Sequence, residues 1–292
     1  MTTQTLENNE IDQRISHYQH KLLPYAYNIL GDYLSAEDIV QEVLNKHFIT
    51  SHEHIISEEY YLVKSVINNA INQKNLLRNR MEDYRGQWLP TPIVTEETIY
   101  DHADQTKILQ FSLLVLLEKL SPKERAVFIL KESFDYSHAE IGDILDIATE
   151  NSRQLLKRSR EKISTEQKQR TVPTNHHHTI EQLTSAILNR DTEKVKMVLN
   201  EDIKLTSDGG SVRAAQNILE GTESIFKFLS AIYGKYLPEN STSVFKIINH
   251  QPALIFSTNG QVYRTMVFEF AGSKISNIYI TVNPEKLKNI KF

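Results

Sequence analysis

The sequence between Thr149 and Ile163 carries side chains whose types and spacing suit contacts with DNA. Five of these residues are basic and two are acidic, whereas the whole chain has a net charge of −4. In a helix, Arg153, Lys157 and Arg160 share one face at i, i+4 and i+7 spacing. Basic side chains on such a face can contact phosphates while polar neighbours reach base edges. The candidate contacts with duplex DNA are Glu150, Asn151, Arg153, Gln154, Lys157, Arg158 and Arg160.

A basic helix face that is simply solvated is the alternative interpretation, and the preceding segment decides between the two. Ser137 and Glu140 form a capping box that begins a helix, and a short turn at 146–149 separates this helix from the basic one. Two short helices joined by a tight turn, the second of them basic, are typical of a helix-turn-helix. Because the chain as a whole is acidic, we expect a larger partner to supply most of the phosphate contacts.

A second candidate surface lies on a helix that begins near Ser35. Asp38, Gln41 and Glu42 share its polar face, and apolar residues occupy the other side. Judged on residue types alone, this pattern favours an acidic helix N-terminus that complements the helix dipole. A role in binding needs further information.

Two other groups have the chemistry for a site. His176, His177 and His178 are potential metal ligands, but the chain has no cysteine to join them. We interpret them as part of a solvated linker and predict no metal site. Asp208, followed by Gly209 and Gly210, is a carboxylate beside a turn. The sequence leaves two interpretations of Asp208 open: a general base in a reaction, or an ordinary turn residue.

Hydrophobic periodicity and turn signals divide the chain into five parts. Residues 11–85 are predicted to be mostly helical, and 86–106 form a linker with two prolines near the only tryptophan, Trp88. An exposed linker rarely carries Trp-Leu, so we expect Trp88 to dock on a surface. Residues 107–165 are again helical, 166–178 form a second linker, and 179–292 are α+β. The strands predicted in this last part are 203–206, 243–248, 253–257, 262–270 and 274–282.

Composition is that of an ordinary soluble protein, with 40% hydrophobic and 24% charged residues. No apolar run is long enough for a membrane span, and the first residues do not follow a signal-peptide pattern. We therefore expect a cytoplasmic protein without membrane contacts.

Four segments resemble the sigma-70 family of transcription initiation factors. Residues 26–31 followed by 35–42 are similar to its conserved region 2. Residues 120–128 resemble the opening of region 4, and 137–160 resemble the helix-turn-helix of that region. Regions 2 and 4 joined by a short linker characterise the extracytoplasmic-function group.

Three further motifs resemble those of a subgroup that carries a SnoaL-like domain at its C-terminus. They are the linker motif at 88–93, Asp-Gly-Gly at 208–210 and the terminal motif at 283–287. The implied fold is multidomain: an all-α region 2 bundle (11–85), an all-α region 4 helix-turn-helix (107–165) and an α+β SnoaL-like cone with a curved antiparallel sheet (179–292).

The resemblance also implies partners and residue roles. The protein would bind core RNA polymerase and promoter DNA, with Asp38, Gln41 and Glu42 contacting the clamp helices of the β′ subunit. Region 4 would read the −35 duplex through the basic helix. Region 2 would open the promoter and hold single-stranded bases of the −10 element. The expected −10 contacts are Tyr61, Asn68, Asn72, Arg78 and Arg80.

In this subgroup the C-terminal domain is thought to replace a separate anti-sigma factor and to regulate the protein in cis, so no separate anti-sigma factor is expected. No catalytic residue and no cofactor are predicted, and a small-molecule ligand of this domain stays open. The rival class is a SnoaL-like enzyme or ligand sensor with a DNA-binding appendage, for which region 2 would have no use. The expected regulatory residues are Trp88, Leu89, Pro90, Asp208, Gly209, Gly210, Asn283, Pro284, Glu285, Lys286 and Leu287.

Overall fold

The computed structural model describes residues 3–49, 57–80, 84, 86–95, 106–164, 176–235, 237–288 and 290. The chain forms two compact units. The helical unit consists of the described residues of Met1–Glu82, Glu97–Leu109 and Leu116–Thr165. The sheet unit consists of those of Asp83–Glu96, Gln110–Val115 and Glu166–Phe292. Within these described ranges, no helix is long and apolar enough to cross a membrane.

Three long helices open the helical unit: α1 (Thr3–Leu30), α2 (Tyr33–Ile49) and α3 (Glu58–Arg80). Gly31 ends α1 because its φ of +72° is a conformation that only glycine adopts without strain. The three helices pack through apolar stripes at helical spacing, which removes these side chains from water. Fully buried members of the stripes are Leu22, Tyr27, Leu30, Val40, Leu62, Val66 and Ile67.

The second half of the helical unit contains the predicted helix-turn-helix and the helix that precedes it in the chain. After α4 (Phe111–Leu117), the chain forms α5 (Pro122–Glu132), α6 (His138–Leu145) and α7 (Thr149–Ser164). Ser121 and Ser137 begin α5 and α6 with capping boxes closed by Glu124 and Glu140, and the second of these boxes was predicted above. Asp146 ends α6 in the left-handed conformation, and the chain turns there into α7.

A buried charged cluster joins the two halves of the helical unit. Arg125 is fully buried and donates from Nε to the carbonyl of Asn28 at 2.8 Å. Its Nη1 atom contacts the Glu118 carboxylate, which also accepts from Lys74 Nζ at 2.9 Å. Burial alone would raise the pKa of Glu118, but the charges of Arg125 and Lys74 outweigh it and lower the pKa. Each buried charge is therefore paired, as stability requires.

The sheet unit combines helices with a six-stranded sheet in the order β2-β1-β6-β5-β4-β3. Its helices are α8 (His176–Leu188), α9 (Thr192–Val198), α10 (Thr222–Lys235) and the short α11 (Pro284–Leu287). Its strands are β1 (Leu199–Asp208), β2 (Leu219–Glu220), β3 (Ser241–Ile248), β4 (Gln251–Thr258), β5 (Gln261–Ala271) and β6 (Lys274–Thr281).

Side chains alternate between the two faces of the sheet, and both faces are covered. The inner face packs against α8, α9 and α10 through residues that include Phe256, Met266 and Phe268. The outer face carries a second apolar cluster of Leu89, Phe111, Ile248, Ala253, Ile255, Val267 and Tyr279. The predicted linker thus contributes Leu89 to a core of the sheet unit.

Two features differ from the sequence predictions. The meander β3–β6 is antiparallel, but β1 pairs with β6 in parallel. Helix α10 separates β1 from the meander, so no hairpin turn forces β1 into the antiparallel direction. The histidine run belongs to α8, since this helix begins at His176, a residue assigned to the linker from its polarity. His176 and His177 pack on Phe270 and Phe245, which turns the polar run into helix.

Candidate functional site

Helix α7 is positioned by one buried stripe that leaves its basic side free. Ser152, Leu156, Ser159 and Ile163 are buried at helical spacing. Ser159 Oγ donates to the carbonyl of Glu124 at 3.1 Å, which fastens α7 to α5. All seven residues predicted to contact duplex DNA are exposed on the remaining surface of α7.

Among the described residues, the basic side of α7 forms exposed ion pairs. Arg153 lies 3.0 Å from Glu150, and Arg160 lies 2.5 Å from Glu132. Exposed pairs of this kind contribute little free energy because solvent screens them. The guanidinium groups can therefore exchange these partners for phosphates at small cost.

The predicted polymerase-binding residues lie together on α2. Asp38, Gln41 and Glu42 are exposed, whereas Ile39 and Val40 are buried against the bundle. The side chains thus form an acidic, accessible face on a helix whose other side is fixed.

The predicted −10 residues lie along α3 in different surroundings. Tyr61 is half-buried, whereas Asn72 and Arg78 are exposed. Asn68 Nδ2 donates to the carbonyl of Ile144 in α6 at 2.9 Å. The side chain of Arg80 lies outside the described residues.

Helix α3 makes further contacts with α6 that sequence reasoning missed. Lys64 Nζ donates to the carbonyl of Asp143 at 2.6 Å and lies 3.6 Å from its carboxylate. The Tyr60 hydroxyl donates to the same carboxylate, and this bond, together with the charge of Lys64, lowers the pKa of Asp143. Nothing in the sequence around Asp143 marks it as a partner of α3. Together with Asn68, these residues form what we call the α3–α6 contact.

Asp208 is the centre of the motifs in the sheet unit. Its side chain is fully buried, and its Oδ2 atom lies 2.7 Å from Nζ of the buried Lys286. Oδ2 also accepts from the backbone N–H of Leu89 at 2.9 Å. Oδ1 accepts from the Tyr84 hydroxyl at 2.5 Å and from the N–H of Gly210 at 3.1 Å. One carboxylate therefore joins the linker, the Asp-Gly-Gly turn and the terminal motif.

Lys286 completes this arrangement, which we call the Asp208 cluster. Besides Asp208, its ammonium group contacts the carbonyl of Leu89 and lies 4.1 Å from the ring centre of Trp88. A cation over an indole face adds to the attraction. The predicted docking of Trp88 is confirmed, and its neighbour Pro90 is buried.

The two glycines of the turn are required by close packing. Gly210 has a φ of +56°, and a Cβ atom there would lie closer than 3.0 Å to the side chain of Asn283. A Cβ atom at Gly209 would come equally close to the carbonyl of Val212. Asn283 itself begins α11 by accepting from the N–H of Glu285 at 3.1 Å. Pro284 and Glu285 are exposed, and Leu287 is buried.

The linker continues along the sheet unit beyond the Asp208 cluster. The N–H of Ile93 donates to Oδ1 of Asn249 at 2.9 Å, and the N–H of Thr95 donates to the carbonyl of Ile247 at 2.9 Å. Val94 forms an isolated antiparallel bridge with Ile248. We call residues 86–95 the docked segment.

These contacts favour the turn interpretation of Asp208 over the general base. Both carboxylate oxygens accept hydrogen bonds within the protein, and a buried lysine neutralises the charge. A base in a reaction needs an oxygen facing its substrate. Over the described ranges, no three histidine or acidic side chains come together in a way that could hold a metal ion.

Comparison with known proteins gives matches over different lengths of the chain. The family described as "Sigma-70, region 4" matches residues 110–163, which include α5, α6 and α7. The ECF RNA polymerase sigma factor SigJ of Mycobacterium tuberculosis is 26% identical over 227 residues, covering 75% of this chain and 72% of the relative. The probable ECF RNA polymerase sigma factor SigI of the same species is 23% identical over 275 residues and 92% of each chain.

One solved structure has the same fold over almost the whole chain. The crystal structure of Mycobacterium tuberculosis SigJ superimposes with a TM-score of 0.74 and 22% sequence identity. The match covers 95% of this chain and 98% of the other.

Proposed function

Since the chain is an extracytoplasmic-function sigma factor of the sigma-70 family with a SnoaL-like C-terminal domain, we propose that it binds core RNA polymerase, directs it to specific promoters and is regulated in cis by that domain. The observation that carries the proposal is the region 4 match at 110–163, within which α7 has a buried stripe and an exposed basic face. On this proposal α7 enters the major groove of the −35 element.

The exposed face of α2 supports the polymerase contact. Asp38, Gln41 and Glu42 project from a helix whose opposite side is buried, so they can meet a partner without refolding. A helix that is already folded adds no backbone-ordering cost to binding. They are the proposed contacts with the β′ clamp.

The α3–α6 contact supports a closed form of the helical unit. Asn68, a proposed −10 contact, is occupied by the carbonyl of Ile144, and Lys64 and Tyr60 are occupied by Asp143. Helix α6 belongs to the proposed −35 reader. We infer that α3 reads the −10 strand only after α6 has moved away from it.

The Asp208 cluster supports regulation in cis. The docked segment lies in sequence between the proposed regions 2 and 4, and Asp208 and Lys286 hold it through the backbone of Leu89. The C-terminal domain therefore controls the chain that connects the two DNA-reading regions. This role requires no separate anti-sigma factor and no cofactor, and we place the protein in the cytoplasm with the polymerase.

Binding to core RNA polymerase tests the first part of the proposal. We expect fluorescence anisotropy of the labelled full chain to show tight binding that the double variant Asp38→Ala/Gln41→Ala loses. The matched control is Glu201→Ala, which removes an exposed acidic side chain of the sheet unit. Absence of binding by the wild type, or equal binding by the double variant, would contradict the assignment of α2.

Transcription by the reconstituted holoenzyme tests regulation in cis. Lys286→Ala breaks the Asp208 cluster, whereas Lys288→Ala removes an exposed lysine two residues away. We expect promoter activity to change in the first variant and not in the second, with circular dichroism to verify folding. Unchanged activity in a folded Lys286→Ala variant would remove the support for a regulatory cluster.

A further inference from the structure

Arg264 in β5 is a buried cation without an anionic partner. Its residue surface is 7% exposed, and its Nε and Nη1 atoms have no hydrogen-bond partner. Among the described residues, no carboxylate forms an ion pair with it. It does not belong to the Asp208 cluster or to the α3–α6 contact.

Arg264 alternates with Met266 and Phe268 along β5 and therefore lies on the inner face, next to a break in the sheet register. Phe256 in β4 pairs with Arg264, but the next residue of β4, Ser257, pairs with Val262, so Tyr263 is the extra residue of a bulge. The guanidinium carbon lies 5.3 Å from the ring centre of Tyr263 and 5.7 Å from that of Phe256. Tyr233 of α10 packs edge-on against Phe256, with 6.0 Å between the ring centres. The cation thus lies in an aromatic cradle between the sheet and α10.

The aromatic rings do not replace the missing partner. Burial lowers the pKa of the Arg264 guanidinium, yet an arginine stays charged at neutral pH. Removing a guanidinium from water costs more free energy than stacking on rings returns. Every other fully buried cation described above, such as Arg125 and Lys286, has a carboxylate. Arg264 is the exception in the described part of the chain.

We propose that Arg264 binds the carboxylate of a small aromatic or apolar acid in the aromatic cradle that Tyr233, Phe256 and Tyr263 form around it. A carboxylate is planar and matches the fork of a guanidinium with two parallel hydrogen bonds. The rings offer apolar contact for the remainder of the molecule and no second cation for a dianion. The ligand is thus a monoanion with an apolar body.

Exposed loop residues lie next to the cradle. Tyr263 shares a hydrogen bond of 2.5 Å with Ser241, which follows the exposed residues 237–240. The turn at 259–261, also exposed, precedes Tyr263 in the chain. Both loops adjoin Tyr263 or its partner Ser241 and carry none of the aromatic rings of the cradle.

Thermal unfolding of the full chain with benzoate as the probe tests the site. We expect benzoate at about 10 mM to raise the Tm of the wild type by about 2 °C or more relative to equimolar chloride. Arg264→Met should lose this rise and keep or increase the Tm without benzoate, since an unpaired buried charge is replaced by an apolar chain of similar length. Lys227→Met, which removes an exposed cation of α10, is the matched control and should keep the full rise.

Three results would overturn the proposal. They are no rise in the wild type, an equal rise in Arg264→Met, and an equal rise with inorganic phosphate, which would show a general anion effect. A lower Tm of Arg264→Met in chloride would assign the arginine a structural role instead. Because the measurement uses no polymerase and no DNA, it is independent of the proposed function in transcription.

Discussion

The ammonium group of Lys286 lies 2.7 Å from the carboxylate of Asp208, although 78 residues separate the two in the chain. Both side chains are buried, so neither charge can return to water when the other is removed. Each buried charge is therefore stabilised mainly by the other, in contrast to the exposed ion pairs elsewhere on the surface, which water stabilises.

Lys286→Ala should destabilise the sheet unit by about 3 kcal/mol, because it leaves the Asp208 carboxylate buried and unpaired. Urea unfolding followed by the fluorescence of Trp88, the only tryptophan of the sequence, measures the change where it occurs. The exposed pair of Lys288 and Glu285 provides the control, and Lys288→Ala should cost less than about 1 kcal/mol. Equal effects of the two variants would contradict the importance of burial.

Gly210→Ala should cost about 2 kcal/mol or more, because the new Cβ atom meets Asn283 and the φ of +56° is strained for alanine. Gly272 shares the positive φ, at +64°, but has open space around it. Gly272→Ala therefore isolates the backbone strain and should cost about 1 kcal/mol. The same fluorescence measurement compares them; a Gly272 variant as damaged as the Gly210 variant would mean that contact with Asn283 is unimportant.

Asp143→Asn should loosen the α3–α6 contact by removing the charge that faces Lys64 and Tyr60. We expect transcription by the holoenzyme to rise, because the closed form loses a contact while the open form loses none. Asp135→Asn changes an exposed aspartate of the same unit that pairs with Lys131, and should have no effect. A decrease with Asp143→Asn would show that the contact aids initiation.

Lys157→Ala should weaken holoenzyme binding to −35 DNA to a similar degree for different sequences, because a phosphate contact carries no base information. The slope of log affinity against log salt should fall in magnitude by about 1. Lys194→Ala removes an exposed lysine of the sheet unit and should leave the slope unchanged. An unchanged slope for Lys157→Ala would remove this residue from the DNA face.

Glu58 should make the helical unit less stable in acid. Burial raises its pKa, but hydrogen bonds from His47, Tyr18 and Arg14 outweigh this and lower the pKa to about 2. Since the folded pKa lies below the ordinary value of 4.5, the contribution is complete above about pH 4.5 and disappears as the pH falls through about 2.

Glu58→Gln should therefore reduce stability at pH 7 by about 1 kcal/mol after allowance for solvent screening, and by much less near pH 2, where the carboxylate is becoming protonated. Thermal unfolding across this range measures the difference. Glu59→Gln alters the neighbouring, half-exposed carboxylate paired with Lys21 and provides the control. A Glu58 variant with the same loss at both pH values would contradict the lowered pKa.

Local signals in the sequence were enough to predict the helix-turn-helix with its cap at Ser137 and the strands of the meander. The capping boxes at Ser121 and Ser137 are complete within four residues, so no distant contact is needed to recognise them. The exposed side of α7 likewise follows from helical spacing alone.

Contacts between distant residues could not be predicted in this way. The motif around Asp208 was recognised by resemblance, but its ion pair with Lys286 depends on how β1 and α11 meet in space. The parallel pairing of β1 with β6 and the partnership of Asp143 with Lys64 depend on tertiary packing as well. Arg264 gave no local signal, because an arginine in a strand is usually solvated.

The bridge between Val94 and Ile248 has a consequence for solubility. Strand β3 is the last strand of its sheet, and an edge strand with open hydrogen-bonding groups can pair with a strand of another molecule. The docked segment covers the end of this edge, with the N–H of Thr95 bonded to Ile247. A form in which the segment has left the sheet should therefore self-associate more readily as its concentration rises.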